Sequence, residues 1–536
     1  MRNSILNIKT HNFSSIMLFL FIIVLIISCL VTDKSISIIR FNNYVQIVIA
    51  YFAFCILLPY FSRHINVFIV IIAVLCIYES LLGIIQIIRY LNSEYYLFCC
   101  VGSFKNPGPY GGFLATCSSI LVAYCFNVSN KQIKALNICA LLLVAIVIPV
   151  TMSRAAFMGL GLSIFILLMD KEKYRILFLK HSFKIAISAL LLATSLFFLK
   201  QGSANGRFHI NRMSVKMICS NGPFGVGLGN YAGEYGKTQA LYFGKKMNRE
   251  TDDLDWTTIK ERVRMTADCP TLAYNEFLQL GVEAGPLCMI LLLSVIIITI
   301  IRALKYNNIW LYGLICFSIF ACFSYPLEYL HFRLLLSFLL AICNLSNNTK
   351  LYMISNCITE LGLIIVAIII SPRLKLELDS YKTVDDIKRW YNEGRFDYVV
   401  EDCDVISGPI YNSDFYFMYG KSLHEIGDYN KSDSILLIGS KRSSDPMFWN
   451  VMGNNSVAIG DYKKAEFCYK YSFQMLPNRL YPLVLLAQMY EKEGDYKKAL
   501  EIIDKIEHFK PKVESERTEF LRVEIDKLKK TLLNTR

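Results

Sequence analysis

The pattern of apolar and polar positions divides the chain in two. Up to Ser371, long apolar runs alternate with polar loops; beyond it the chain is charged and rich in Lys and Glu. Runs such as Ser15–Val31, Tyr44–Phe61, Val67–Ile88 and Phe183–Leu199 are long enough, at about 1.5 Å per residue, to cross roughly 30 Å of hydrocarbon as helices. A window reading predicts about eleven such spans. The others are Gly111–Asn127, Leu136–Met152, Ala155–Met169, Pro286–Leu304, Ile309–Pro326, Leu330–Asn344 and Tyr352–Ser371. One polar loop, from Lys200 to about Pro270, is far longer than the rest. Loops of that length are more often functional than connective. The predicted organisation is a polytopic membrane domain over 1–371, with an outer catalytic loop at 200–275, followed by a soluble domain over 372–536.

The soluble part repeats itself. Gly394-Arg395-Phe396, Gly427-Asp428-Tyr429, Gly460-Asp461-Tyr462 and Gly494-Asp495-Tyr496 recur every 33–34 residues, the period of tetratricopeptide helix pairs. Gly420, Gly453 and Ala487 fall at the small position of the first helix, and Ala465 and Ala499 at that of the second. Pro477 and Pro511 close their units. The predicted fold class is all-α: a polytopic helical membrane protein with a C-terminal helical-repeat solenoid. Stacked repeats present a concave face to a peptide or protein partner; a rigid spacer is the alternative.

Composition adds a sign to this picture. The chain is 54% hydrophobic with a formal charge of +13. Lys and Arg gather in alternate loops, at Arg2 and Lys9, Arg63, Lys131 and Lys134, Lys171 to Lys180, Arg302 and Lys305, and Lys350. That distribution is the positive-inside pattern and not a nucleic-acid footprint. It puts the N-terminus in the cytoplasm, and the long loop and the tail on the outer face. Most cysteines lie in apolar spans, where Cys acts as a small hydrophobe, and no CxxC or Cys/His spacing suits zinc. Ile26-Ile27-Ser28-Cys29 satisfies a lipoprotein-type cleavage rule, but the long run around it reads as an uncleaved first span.

The outward polar segments carry the candidate chemistry. Gly102-Ser103-Phe104-Lys105-Asn106-Pro107 leads into one span, and Ser153-Arg154 sits at a turn between two others. An arginine between membrane helices is a functional candidate by default, with an interfacial snorkelling role as the alternative. The loop opens on Asn205-Gly206-Arg207 and continues to Pro223-Phe224-Gly225-Val226-Gly227-Leu228-Gly229-Asn230. Those glycines do not follow a strand in a βαβ unit, so they suit tight turning and not a dinucleotide. The loop ends at Asp268 and at Tyr274-Asn275-Glu276-Phe277-Leu278-Gln279, with Glu283 and Gly285 downstream.

In this order the motifs over roughly residues 100–300 resemble the O-antigen ligase/polymerase superfamily. The tetratricopeptide tail and the Asn-Glu-Phe-Leu-Gln form are similar to Bacteroidota variants. The resemblance implies a multi-pass protein of the bacterial inner membrane, with its catalytic loop and tail in the periplasm. It implies transfer of a glycan from undecaprenyl diphosphate to an acceptor hydroxyl on lipid A–core, on another lipid-linked repeat unit, or on a protein. Arg154 and Arg207 match the family's diphosphate-holding arginines, and guanidinium forks bind phosphate oxygens bidentately. Asn106, Gly225, Gly227, Gly229, Asn230, Tyr274, Asn275 and Gln279 match motif positions. No metal and no cofactor is implied, since the leaving group is already good.

The departure is Tyr274, where many ligases have a His before this Asn. A phenol titrating near pH 10 is a poor general base. Glu276 and Asp268 are the nearest carboxylates for that role; their alternative is structural, as a helix cap or a partner of Arg262 or Arg264. His209 and His331 are further candidates, each also readable as simply hydrogen-bonded. Lys245, Lys246, Arg249, Arg262 and Arg264 form a basic cluster that either steers an anionic donor or, with Asp252, Asp253, Asp255 and Glu261, makes a solvated surface; the surface reading is preferred. A non-catalytic scaffold and a transporter complete the alternatives.

Overall fold

The computed structural model of the chain describes residues 2–534 except 33–35, 62–63, 92–98, 129, 181–200, 248–258, 307, 345–349, 407–409 and 411. The expected span Phe183–Leu199, and Arg249, Asp252, Asp253 and Asp255, lie outside the described residues. Among those described, all regular structure is helical. Six helical stretches are long and apolar enough to cross a membrane: Phe13–Val31, Ile38–Phe61, Asn66–Leu91, Pro107–Asn127, Lys131–Thr151 and Pro286–Lys305. They belong to helices α1 (Arg2–Val31), α2 (Ile38–Phe61), α3 (Ile65–Leu91), α4 (Pro107–Asn127), α5 (Lys131–Thr151) and, later in the chain, Pro286–Lys305. Other expected spans form shorter helices, Arg154–Asp170 (α6), Leu311–Ala321 and Leu330–Cys343, or the first half of the long helix Lys350–Asn392.

Helix α4 is the centre of the bundle, packed on α3, α5, α6 and Leu311–Ala321. Its sequence explains the position. Asn106 caps its first turn by accepting from the Gly108 N–H at 2.8 Å, and Pro107 opens it. Its glycines then admit neighbours: a Cβ on Gly112 would lie 2.2 Å from the Phe320 ring, and one on Gly111 2.7 Å from Thr151 Oγ1. The outer helices do the opposite. Ile138, Leu142 and Ile146 on α5, four residues apart, are exposed, as are Leu361, Ile365, Ile368 and Ile369 on the long helix. Apolar stripes of that extent are unstable against water and suit a hydrocarbon surround.

Contacts sort the loops into two ends. At one end Asn127 meets Lys171, Asn66 meets Tyr124, and Asn308 meets the Ile342 carbonyl. The basic loops around Lys131, Lys171 and Lys305 lie there. At the other end sit the N-terminus of α2, the α5–α6 turn, the turn at 322–329, the long loop and the tail, joined by the bonds described below.

The tail's repeat has a local cause. Gly394, Gly427, Gly460 and Gly494 all adopt left-handed φ between +73° and +90°, which ends one helix where a side chain would be strained. The Asp that follows three of them caps the next helix, accepting from Lys431, Lys464 and Lys498 N–H groups. The first unit has Arg395 there instead and lacks the side-chain cap. Gly420 and Gly453 let the paired helices close: an added Cβ would meet Leu436 at 2.5 Å and Tyr469 at 2.4 Å.

The tail is not a separate appendage. It shares one hydrophobic core with the long loop, in which Tyr231, Tyr235 and Phe243 of the helix Tyr231–Met247 pack with Phe473, Leu476 and Leu483. Arg264, expected on a solvated surface or beside a carboxylate, is buried. It donates to the Pro477 carbonyl at 3.0 Å and the Lys510 carbonyl at 2.7 Å, over the Phe509 ring. Gln239 donates to the carbonyls of Asp268 (2.8 Å) and Met475 (2.6 Å). A second lock is Glu377, fully buried on the long helix. Its carboxylate accepts from Ser37 Oγ (2.7 Å), Ile38 N (2.7 Å) and Ile39 N (3.0 Å), capping α2 from another element. Glu377→Ala leaves these donors without an acceptor and is expected to destabilise the protein by about 3 kcal/mol. Thermal unfolding of the full chain in detergent checks this; an unchanged melting temperature removes the lock from the account.

Candidate functional site

The site lies at the end of the bundle that carries the long loop. The loop's first helix, Gln201–Ser220, presents Arg207, and the α5–α6 turn presents Arg154 as the first residue of α6. These residues, 53 positions apart, come close enough for the Arg154 charge to act on Arg207. Burial, then Arg154, holds the Arg207 guanidinium below its usual range. Arg207 donates to the Phe323 carbonyl at 2.8 Å and lies over the Tyr274 ring, 5.3 Å from its centroid. Tyr274 meets Tyr325 at 5.7 Å, and Tyr325 stacks on Tyr329 at 6.3 Å. The result is two arginines beside a shelf of tyrosines, with the open N-terminus of α6 adding its own positive end.

Tyr274 is held there by its backbone. Its φ of +52° is left-handed, a conformation that costs a bulky residue about 1–3 kcal/mol. The turn it makes lets Asn275 cap the helix Glu276–Glu283, accepting from Phe277 and Leu278 N–H groups at 3.1 Å. Burial raises the Tyr274 phenol further above its ordinary value, away from any use as a base.

The glycine run is a docking turn. Gly225, Gly227 and Gly229 all have left-handed φ. Val226 N and Gly227 N donate to the Val282 and Glu283 carbonyls, both at 2.9 Å. A Cβ on Gly225 would stand 2.5 Å from the Val282 carbonyl oxygen. Leu228 O accepts from Ser37 N at 2.9 Å and Phe224 O from Ser28 Oγ at 2.7 Å, tying the turn to α1 and α2. Asn230 is buried and donates to the Val226 carbonyl at 3.2 Å. Gln279 accepts from Ala273 N at 2.6 Å and donates to Glu283 Oε1 at 2.7 Å. Asn106, the three glycines, Asn230, Asn275 and Gln279 thus shape backbone, while Arg207 lies over Tyr274 and within reach of the Arg154 charge.

The two candidate bases separate. Glu276 is buried, and its Oε1 accepts from Leu327 N at 2.6 Å. Asp268 is exposed in the loop, 3.3 Å from Lys512 of the tail; its ionic partner is neither Arg262 nor Arg264. His209 is buried 3.1 Å from Gln239 Oε1 and stacked on Phe243. Burial lowers it to about 4, so it is neutral near pH 7. His331 is exposed beside Phe104.

Sequence reading missed a charge network next to Glu276, in which Glu283 is fully buried and Arg40 and Glu328 are half-buried. Arg40, at the start of α2, lies 3.4 Å from Glu283 and 3.0 Å from Glu328. Arg333 donates to Gln46 Oε1 (3.0 Å) and to the carbonyls of Leu327 (2.8 Å) and Glu328 (3.1 Å). Glu79 on α3 holds the segment before Asn106, accepting from Ser103 N and Oγ. The available signal was charge within or bordering apolar runs, which marks functional or paired positions. Among the described residues no group of three or more His, Cys, Asp or Glu is placed to hold a metal ion. No protein-family model matches the chain, and no curated protein matches it.

Burial and the neighbouring Glu328 raise Glu276 from 4.5 to about 8. The folded protein therefore holds a proton that the unfolded chain releases above about pH 4.5. Stability from this group is full below that pH and falls as pH rises towards 8. Glu276→Gln is expected to flatten this decline. Melting curves of both proteins from pH 5 to about 9 provide the check, and equal slopes would count against it.

Proposed function

We propose that the protein is a membrane glycosyltransferase of the O-antigen ligase type, moving a glycan from an undecaprenyl diphosphate carrier to an acceptor hydroxyl on the periplasmic side. The observation that carries the reading is that Arg154 and Arg207, from separate elements at one end of an apolar bundle, are near enough for the charge of the first to act on the second. Two guanidinium groups brought together from separate elements repel each other, and a doubly charged ligand between them relieves that repulsion. A polyprenyl diphosphate has that charge, and its tail has the bundle's apolar surface to lie against.

In this reading the reaction is a single inverting displacement. The acceptor oxygen attacks the anomeric carbon, the bond to the diphosphate oxygen breaks, and the carrier leaves with both bond electrons. Arg154 and Arg207 stabilise the charge developing on that leaving group. Of the two carboxylates read in the sequence, Asp268 has the access to take the hydroxyl proton, whereas Glu276 is committed to Leu327 and the buried network. Tyr274 lines the site beneath Arg207.

The architecture that goes with this reading has eleven crossings. Ala155–Met169, Phe183–Leu199, Ile309–Pro326, Leu330–Asn344 and Tyr352–Ser371 add five to the six long apolar helices. The tail is a tetratricopeptide solenoid in the periplasm, with the basic loops in the cytoplasm of a bacterial inner membrane. The left-handed glycines and aspartate caps at 33–34-residue spacing support the solenoid.

Arg154→Ala and Arg207→Ala are each expected to lower transfer by at least about a hundredfold, the scale of losing one charge-stabilising donor. Surface-glycan profiles of cells carrying well-expressed variants check it, and normal profiles with both replaced would falsify the catalytic reading. Deletion of the protein identifies the acceptor. Long carrier-linked glycan accumulates if it is a ligase, single repeat units if it is a polymerase, and glycoprotein alone is lost if it is a protein transferase.

A further inference from the structure

Between the loop helix Tyr231–Met247 and the tail lies a cleft of about 580 Å³ that the transfer site does not use. One wall carries Glu234 and Lys237; the other carries Lys441, Arg442, Trp449 and Tyr471. The walls are fixed against each other by glycine. A Cβ on Gly233 would fall 1.9 Å from the Lys441 carbonyl oxygen, and one on Gly236 2.8 Å from the Met475 methyl. Loop and tail thus meet at backbone distance beside an opening they both line.

The lining has two chemistries. Trp449 and Tyr471 have ring centroids 4.4 Å apart, and Phe467 extends the group, stacked on Tyr471 at 6.0 Å. Around the rings stand three cations, Lys237, Lys441 and Arg442, against one carboxylate, Glu234, which is 3.5 Å from Lys237. Aromatic faces stack on the C–H faces of pyranose rings, and the surplus cations match carboxylates on such rings. Most of the lining lies on the helices Tyr231–Met247, Tyr429–Ser440, Met447–Ala458 and Tyr462–Met475, whose backbone groups are already paired, with Lys441 and Arg442 in a turn. Among the described residues the cleft therefore has no strand edge for an extended peptide to join.

We propose that this cleft binds an acidic oligosaccharide, a stretch of glycan carrying uronic-acid-type carboxylates, and holds it beside the transfer site. The proposal rests on the glycosyltransferase reading for its substrate class, but the cleft binds without turnover. Trp449 and Tyr471 supply the stacking platform, while Lys441 and Arg442 select the charge. Arg442 is itself anchored, since its guanidinium donates to the Ile410 carbonyl and lies over the Tyr416 ring. Lys441 extends from an exposed position and is the freer of the two to follow a ligand.

The test is a titration of the purified full-length protein in detergent with fluorescently labelled hexagalacturonate. Maltohexaose serves as the neutral control and hexaglutamate as the peptide control. Hexagalacturonate is expected to bind at least about ten-fold more tightly than either control, and Trp449→Ala is expected to lose about ten-fold, the scale of one aromatic contact. Lys441→Glu, at an exposed site that leaves the core untouched, is expected to lose a similar factor, so the proposal stays testable should Trp449→Ala fail to fold. Absence of hexagalacturonate binding, equal binding of hexaglutamate, or full affinity in Lys441→Glu overturns the cleft. Binding that survives in an Arg154→Ala, Arg207→Ala protein with normal surface glycans keeps the cleft and sinks the transferase. Normal transfer without sugar binding does the reverse.

Discussion

Arg40 is the tie on which this end of the molecule depends. Its guanidinium stands between Glu283 on the helix after the long loop and Glu328 in the turn before Leu330–Cys343. Both carboxylates and the arginine are shielded from water to different degrees, Glu283 fully. A buried charge that loses its partner costs about 3–5 kcal/mol, so these three elements hold a common position. The Gly-rich turn then docks on the same helix through the Val282 and Glu283 carbonyls. Arg207 donates to the Phe323 carbonyl in the turn that carries Glu328, so its placement follows that turn.

The tail enters the same scheme by two routes. Glu377 caps α2 at Ser37, Ile38 and Ile39, immediately before Arg40, and Arg264 and Gln239 bond the loop to tail carbonyls. Each route uses a buried polar group whose partner lies on a distant part of the chain. Polar groups removed from water keep their free energy only when satisfied, so such pairs specify one arrangement more sharply than apolar contact alone. The consequence is that the long loop and the C-terminal part of the tail are built around one shared core.

Local structure was legible in the sequence wherever the residue's own backbone demanded it. Three glycines of the 222–231 run turn with positive φ, as a glycine-rich stretch suggests, and the Gly-Asp-Tyr triplets at 427, 460 and 494 mark helix junctions of the tail. Arg154 and Arg207 were singled out through a resemblance; in the fold the Arg154 charge acts on Arg207. What escaped was the fate of the carboxylates. Glu276 stands in a motif and reads as a base, yet the helix it starts turns it into the protein against Leu327 N. Arg264 reads as a surface charge, yet the tail folds over it. Neither outcome has a local signal, because burial depends on what arrives from elsewhere.

The sequence by itself determined the helical class, the apolar stretches able to cross a membrane, the basic loops grouped at one end and the period of the tail. These follow from hydrophobicity, backbone freedom and charge, which act within a few residues. The tertiary structure alone decided that Arg40, Glu283 and Glu328 form one network, that the tail closes on the loop, and that a cleft lined by rings and cations opens between them. Those depend on desolvated pairs hundreds of positions apart. Their energies appear only when the surrounding helices have excluded water.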